Sequence, residues 1–175
     1  MIGAASGQVI TEFPIPTASS APEGVSSGPD GNLWFARNFF ATIGLITTAG
    51  VITDFPLPGV FAYGGIVTGP DGNLWFTDGM NDKIERLTTS GSATGFSTPT
   101  TLSQPAGIAV GPDGSLWFTE FRANQIGTIT TAGTVTEFPV PSTATWNPGG
   151  IVAGADGNLW FTEERGSLHR LRSTP

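Results

Sequence analysis

The feature that most constrains this chain is a motif of eight residues that occurs four times. Gly-Pro-Asp-Gly-Asn-Leu-Trp-Phe occupies residues 28–35 and 69–76, and close variants occupy 111–118 and 154–161. The motif recurs about every 42 residues, with several short β-like runs between its copies. This period, with several strands per repeat, is typical of a β-propeller blade. We therefore predict an all-β chain, a β-propeller of four-stranded blades with four blades per chain.

Each repeat divides into a short glycine-led strand, a Pro-Asp-Gly turn, a Leu-Trp-Phe strand and two further strands. Side chains alternate along a strand, so Leu33 and Phe35 point one way and Trp34 the other. Both sides of the sheet must then be covered, as they are when blades stack face to face. We expect a single unit over 1–175, with blades at about 24–56, 65–98, 107–139 and 150–172.

The two ends of the chain are complementary in pattern. Residues 8–14 resemble a fourth strand, whereas the last repeat closes with a third strand, Leu168 to Leu171. We predict that the N-terminal strand completes the last blade and removes an open edge. Three arrangements remain: a four-bladed monomer, a homodimer closing as an eight-bladed ring, or part of a longer propeller. Near-parallel bulky faces favour the homodimer, because eight blades need a smaller angle between neighbours.

Charge and composition limit the partners. The net charge is −7 and there is no run of Lys or Arg, so we expect no nucleic-acid partner. The chain has no cysteine, which excludes disulfides and thiolate metal sites. No apolar stretch approaches the ~20 residues of a membrane helix, and the first residues lack a basic region, so we expect neither a membrane span nor a signal peptide. The sequence does not indicate a compartment.

Three stretches of the repeat together resemble the virginiamycin B lyase family. They are Asn-Leu-Trp-Phe-Thr-Glu, Ile-Gly-x-Ile-Thr-Thr-Ala-Gly and Val-Thr-Glu-Phe-Pro-x-Pro, and the likeness runs from Val9 to about Arg172. The resemblance implies a propeller, seven-bladed and monomeric in characterised members. It also implies a lyase that linearises streptogramin B antibiotics by elimination at the ester bond, with Mg²⁺ and with histidine and glutamate in the site.

The resemblance carries over only a few candidate catalytic residues. Glu120 and Glu163 match the Thr-Glu ending of the second strand, and Asp78 takes that place in the second repeat. They are candidates for acid/base or metal-binding groups. The one histidine, His169, falls where other repeats have glycine on a third strand, so we expect a packed or surface side chain. Mg²⁺ is implied by the resemblance alone, and the residues themselves require no cofactor.

Differences between the repeats point to a binding surface. The turns at one end barely vary, whereas the loops at the other end vary greatly, and variable loops on a rigid scaffold commonly carry function. The predicted ligand-binding residues there are Arg37, Phe39, Arg122, Trp146 and Arg165. The alternative is that these charges are solvated surface groups. The aspartates of the Pro-Asp-Gly turns are expected to cap turns, and the motif tryptophans to form the core.

Two functions follow as hypotheses. The first is a lyase-like propeller that acts mainly as a binding, scaffold or assembly module, with itself and a small molecule as partners. The second is a divalent-metal-assisted lyase or hydrolase that uses Glu120, Glu163 and Asp78 on the loop face.

Overall fold

The computed structural model describes residues 10–17, 21–37, 41–141, 147–164 and 166–172, and they contain strands joined by turns and loops. The strands form four antiparallel sheets, one per repeat, each in sequence order. Blade 1 consists of β1 (Pro22–Ser27), β2 (Leu33–Arg37), β3 (Thr42–Ile46) and β4 (Ile52–Pro56). Blade 2 consists of β5 (Ala62–Thr68), β6 (Leu74–Asp78), β7 (Lys83–Leu87) and β8 (Ala93–Ser97), and blade 3 of β9 (Pro105–Val110), β10 (Leu116–Glu120), β11 (Gln125–Ile129) and β12 (Val135–Pro139). Blade 4 consists of β13 (Pro148–Ala153), β14 (Leu159–Glu163) and β15 (Ser167–Leu171). The predicted all-β architecture of repeated antiparallel blades is confirmed.

The core lies between blades rather than within them. Trp34 of blade 1 packs in one cluster with Leu74 and Phe76 of blade 2. The same contact joins the tryptophan of blade 2 to blade 3, and that of blade 3 to blade 4. The motif tryptophans of blades 1 to 3 therefore face the following blade, and the motif leucines and phenylalanines of blades 2 to 4 face the preceding one. This packing explains why large apolar side chains lie on both sides of the Leu-Trp-Phe strand.

The Pro-Asp-Gly turn also fixes the tryptophan that follows it. Asp71 accepts a hydrogen bond from the Asn73 amide at 3.2 Å and from Trp75 Nε1 at 2.9 Å. The other three turns repeat the indole contact at 3.1 to 3.2 Å. The aspartate caps the turn, as predicted, and in addition holds the buried indole N–H, which would otherwise lack a partner.

The inner strands approach each other closely, which explains their small residues. A Cβ placed on Gly107 of β9 would lie 2.6 Å from the Gly149 carbonyl oxygen of β13. Real Cβ atoms do not come this near to an oxygen, so only glycine allows the two backbones to converge there.

The blades form an open arc in the single chain. The inner strands contact one another in the order β1, β5, β9, β13, and no comparable contact joins β13 to β1 among the described residues. The last blade has three strands in the part of the chain that the structure describes. The segment 10–14 is not a strand there and does not pair with β15. Phe13 instead lies against Gly50 of blade 1, because an open apolar surface of that blade receives its ring.

Candidate functional site

A cleft opens on the loop face, which we define as the end of the propeller formed by residues 61–63, 79–82, 102–104 and 121–124. The cleft has a volume of about 310 Å³ and lies between blades 2 and 3. Its walls are formed by Phe61, Tyr63, Gly79, Met80, Asp82, Leu102, Gln104 and Arg122. Loops that join the second and third strands meet loops that join successive blades here. The cleft therefore lies on the surface that sequence variation indicated.

The cleft combines apolar walls with one cation. The side chains of Met80 and Leu102 are 67% and 74% exposed at its mouth. Arg122 is exposed, and no carboxylate within the described ranges forms an ion pair with it. A surface with these properties suits an apolar, partly aromatic ligand that carries hydrogen-bond acceptors.

Asp82 gives the cleft its shape. Its carboxylate accepts hydrogen bonds from the Leu102 amide at 2.6 Å and from the Gln104 amide at 3.0 Å. Both amides belong to the loop that leads into blade 3. The carboxylate thus holds one wall of the cleft in place by accepting hydrogen bonds from two backbone amides. These charge-assisted bonds direct its negative charge toward the protein.

The three acidic candidates occupy one structural position. Asp78, Glu120 and Glu163 are the last residues of β6, β10 and β14, and Arg37 is the last residue of β2. All four are at most 6% exposed, and the three carboxylates lie on the side of the sheet that faces the preceding blade. The structure therefore places the candidates under the loop face rather than on it, and each has different neighbours.

Asp78 is satisfied by its surroundings. One carboxylate oxygen accepts from the Phe61 amide at 3.2 Å and the other from the Asn81 side chain at 2.7 Å. These bonds tie the loop before β5 to the loop after β6. Asp78 orders the second wall of the cleft, as Asp82 orders the first.

Glu120 is buried without a hydrogen bond to either carboxylate oxygen. Burial raises its pKa to about 8 from the ordinary 4.5, and the like charges of Glu137 and Asp82 act in the same direction. The Ser103 hydroxyl lies near enough to lower the pKa but does not reach hydrogen-bonding geometry. A pKa of about 8 means that the neutral, protonated form of Glu120 predominates at pH 7.

Glu163 is paired with the one histidine. His169 Nε2 lies 3.0 Å from a Glu163 carboxylate oxygen, and the imidazole stacks on Phe161 with ring centroids 5.0 Å apart. His169 is paired with Phe161 across β14 and β15. In blade 1 the equivalent position opposite Phe35 is occupied by Gly44. The histidine is half-buried between blades 3 and 4, where a groove of about 140 Å³ opens beside it.

The acidic candidates do not fit a shared Mg²⁺ ion. They lie on three separate blades, and the described part of the chain contains no group of three or more His, Cys, Asp or Glu side chains able to hold a metal. Asp78 already accepts two hydrogen bonds, and Glu120 favours its proton over a charge.

The predicted ligand-binding residues are separated by the structure. Arg122 lines the cleft, whereas Arg37 is 2% exposed and pairs with Asp54 at 2.7 Å. Phe39, Trp146 and Arg165 lie outside the described residues.

The sequence did not predict that Met80 and Leu102 contribute to the cleft, although their loops vary between the repeats. It also gave no role to Asp82, whose partners are backbone amides of another blade.

The fold and this surface define a β-propeller whose variable loops form a ligand-sized cleft at one end of the blades. Within that class, the sequence profile of the Virginiamycin B lyase family matches residues 2–171, so the chain belongs to that family.

Individual relatives agree with this assignment. A catalytically inactive virginiamycin B lyase from Staphylococcus aureus, solved with quinupristin, is 39% identical, with a TM-score of 0.84 over 94% of this chain and 59% of that chain. A streptogramin B lyase structure is 34% identical, with a TM-score of 0.82 over 94% and 59% of the two chains. The virginiamycin B lyase of Bordetella parapertussis is 43% identical over 49 residues, 28% of this chain and 16% of that protein.

The chain spans about three-fifths of the length of these solved relatives. None of the residues described forms a helix long and apolar enough to cross a membrane.

Proposed function

We propose that the chain is a binding module that holds a cyclic depsipeptide of the streptogramin B type in the loop-face cleft. The observation that carries the proposal is the cleft between blades 2 and 3, with apolar walls at Phe61, Tyr63, Met80 and Leu102 and the single cation Arg122. A lyase solved with quinupristin, 39% identical to this chain, supports that ligand class. Such a ligand offers aromatic side chains to the walls and backbone carbonyls to the guanidinium.

The size of the cleft sets the binding mode. Its volume of about 310 Å³ is at the lower end of the range for small-molecule sites, about 300–1,000 Å³. A cyclic depsipeptide is larger than this, so the cleft takes one face or one side chain of the ring and the remainder stays in water. We therefore expect moderate affinity.

Isothermal titration calorimetry with quinupristin tests the proposal. We expect a single binding heat, with affinity reduced about tenfold in Arg122→Ala and in Met80→Ala. This corresponds to a loss of roughly 1.4 kcal/mol of binding free energy in each variant. Both side chains are exposed, so neither substitution should disturb the fold. Arg172→Ala removes an exposed arginine outside the cleft and should bind like the parent. The absence of binding heat, or equal losses in Arg122→Ala and Arg172→Ala, would reject the site.

Lyase chemistry is the second candidate, and the pairing of Glu163 with His169 at 3.0 Å favours it. A buried carboxylate that orients an imidazole is a usual arrangement for general acid/base catalysis. An elimination would need His169 to remove the proton from the carbon next to the one that bears the ester oxygen. A C=C bond then forms as the alkyl C–O bond breaks, and the ester carboxylate of the substrate leaves with the bonding electron pair.

Chromatography with mass spectrometry distinguishes the two functions. Elimination changes the retention of quinupristin without changing its mass, whereas hydrolysis adds one water. Unchanged quinupristin after incubation, with and without Mg²⁺, supports the binding module. Conversion that is lost in His169→Ala supports the lyase.

A further inference from the structure

Three side chains that line the loop-face cleft carry polar groups without a partner in the part of the chain that the structure describes. They are the Tyr63 hydroxyl, the Gln104 amide and the Arg122 guanidinium. No hydrogen bond or ion pair joins any of these groups to another described residue. All three can donate hydrogen bonds, and donors of this kind form their strongest bonds with a charged acceptor such as a carboxylate.

Arg122 differs from the arginines that the blades engage. Arg37 pairs with Asp54 at 2.7 Å. Arg86 donates to the Thr131 carbonyl oxygen at 3.2 Å. The Arg122 side chain is exposed to the cleft instead, on a chain whose net charge is −7. A cation placed in a cleft of an acidic protein favours an anionic group of a ligand at that point.

The acidic groups around the cleft are directed toward the protein. Each oxygen of the Asp82 carboxylate accepts a bond from a backbone amide, at 2.6 and 3.0 Å. Both oxygens of the Asp78 carboxylate likewise accept hydrogen bonds. Glu120 is buried, and its pKa of about 8 keeps it mostly protonated at pH 7. None of these acids forms an ion pair with Arg122, so its charge remains available to a ligand.

The backbone that carries Gln104 and Arg122 is held in place. Gln104 has a φ of +52°, a conformation that a residue with a side chain rarely adopts. Its amide donates to Asp82 and its carbonyl oxygen accepts from the Phe121 amide, each at 3.0 Å. The Arg122 amide donates to the Ser103 carbonyl oxygen at 3.0 Å. Strained backbone that is fixed by hydrogen bonds, below side chains without partners, is typical of a ligand site.

We propose that the cleft is a carboxylate-binding site that prefers the ring-opened acid of a streptogramin B depsipeptide to the intact ring. This inference rests on the proposed function, because the cleft must accept this class of ligand. Hydrolysis of the ring ester adds one water and frees a hydroxyl and a carboxylate. Elimination frees the same carboxylate and leaves a C=C bond on the alcohol side.

The three unpartnered groups divide the carboxylate between them. Arg122 forms a bidentate pair with its two oxygens, and Tyr63 and Gln104 donate to the lone pairs that remain. The intact ring has this carboxyl group tied up in the ester and offers a neutral carbonyl instead. The chain therefore acts after a ring-opening reaction, by holding the acid that the reaction releases.

Calorimetry with three ligands tests the preference. They are quinupristin, its ring-opened acid, and the methyl ester of that acid, which has the same open chain and lacks only the charge. We expect the acid to bind about tenfold more tightly than the methyl ester at low ionic strength. This advantage should shrink at high salt, because the site is open to solvent and its charges are screened.

Substitutions locate the carboxylate. Arg122→Gln removes the charge and should bring the acid and the methyl ester to equal affinity. Tyr63→Phe keeps the apolar wall and should weaken binding of the acid about threefold. Arg172→Gln changes an exposed arginine outside the cleft and is the matched control, which should keep the preference of the parent.

The three ligands separate the carboxylate site from the proposed function. Equal affinity of the parent for the acid and the methyl ester, or a preference that survives in Arg122→Gln, overturns the carboxylate site and leaves the binding of quinupristin standing. Binding of the acid without binding of quinupristin supports the carboxylate site and rejects the intact ring as the ligand. If none of the three ligands binds, neither the carboxylate site nor the proposed function stands.

Discussion

Glu120 makes the stability of the protein depend on pH in an unusual direction. Its carboxyl group is fully buried, has no hydrogen bond and has its pKa raised to about 8 from the ordinary 4.5. Between pH 4.5 and about pH 8, Glu120 keeps its proton in the folded protein but releases it in the unfolded chain. The free energy of unfolding therefore falls as pH rises from about 4.5 to about 8.

The magnitude follows from the shift in pKa. One pKa unit corresponds to about 1.36 kcal/mol, so the rise from 4.5 to about 8 sets an upper bound of just under 5 kcal/mol. Water and relaxation near the loop face screen part of this cost, which leaves about 2–4 kcal/mol. Glu120→Gln has the same shape and cannot ionise. We expect it to be close to the parent at pH 5 and more stable by about 2–4 kcal/mol at pH 9.

Urea unfolding at a series of pH values, followed by tryptophan fluorescence, measures the difference. Glu164→Gln is the control. It changes an exposed glutamate that follows the second strand of blade 4, as Glu120 ends the second strand of blade 3, and it should leave the pH dependence of the parent unchanged. Parallel curves for Glu120→Gln and the parent would show that Glu120 is not the buried neutral acid described above.

Two further predictions concern the blade itself. Asp71→Ala removes the acceptor of the Asn73 amide and of Trp75 Nε1, so urea unfolding should show a loss of about 1–3 kcal/mol; an unchanged midpoint would contradict the role of the turn aspartate. Burial raises the pKa of Asp71, but the hydrogen bonds from Asn73 and Trp75 outweigh it and hold the pKa below 3.8, so this contribution is lost as pH falls through the lowered value. Gly107→Ala should cost about 1–3 kcal/mol by thermal or urea unfolding, because the new methyl group meets the Gly149 carbonyl oxygen. Gly150→Ala, whose nearest neighbour would be Thr162 Oγ1 at 3.8 Å, is the control, and equal losses would refute the steric explanation.

The repeat made the fold predictable. Leu-Trp-Phe on a strand requires cover on both sides, and the structure supplies it by packing Trp34 on Leu74 and Phe76. The bond from Asp71 to Trp75 Nε1 was not predicted, because it depends on how the indole turns back over the Pro-Asp-Gly turn. Pattern alone fixes which face a side chain takes and not where its ring points.

The site was predictable only as a surface. Variation between repeats identified the loops, but the choice among their charged residues failed to anticipate the burial of Arg37. That arginine turns inward because Asp54, two strands away in the same blade, offers a carboxylate at 2.7 Å. Likewise Asp82 acts on amides of the loop before blade 3. Contacts between loops of different blades depend on the angle between the blades, which one repeat does not encode.

Hydrogen exchange with mass spectrometry, with and without quinupristin, tests most directly whether the loop-face cleft is the functional site. We expect slower exchange in 61–63, 79–82, 102–104 and 121–124, with the Leu102 and Gln104 amides most affected. Unchanged exchange throughout, or protection confined to the Pro-Asp-Gly turns at the opposite end, would contradict it.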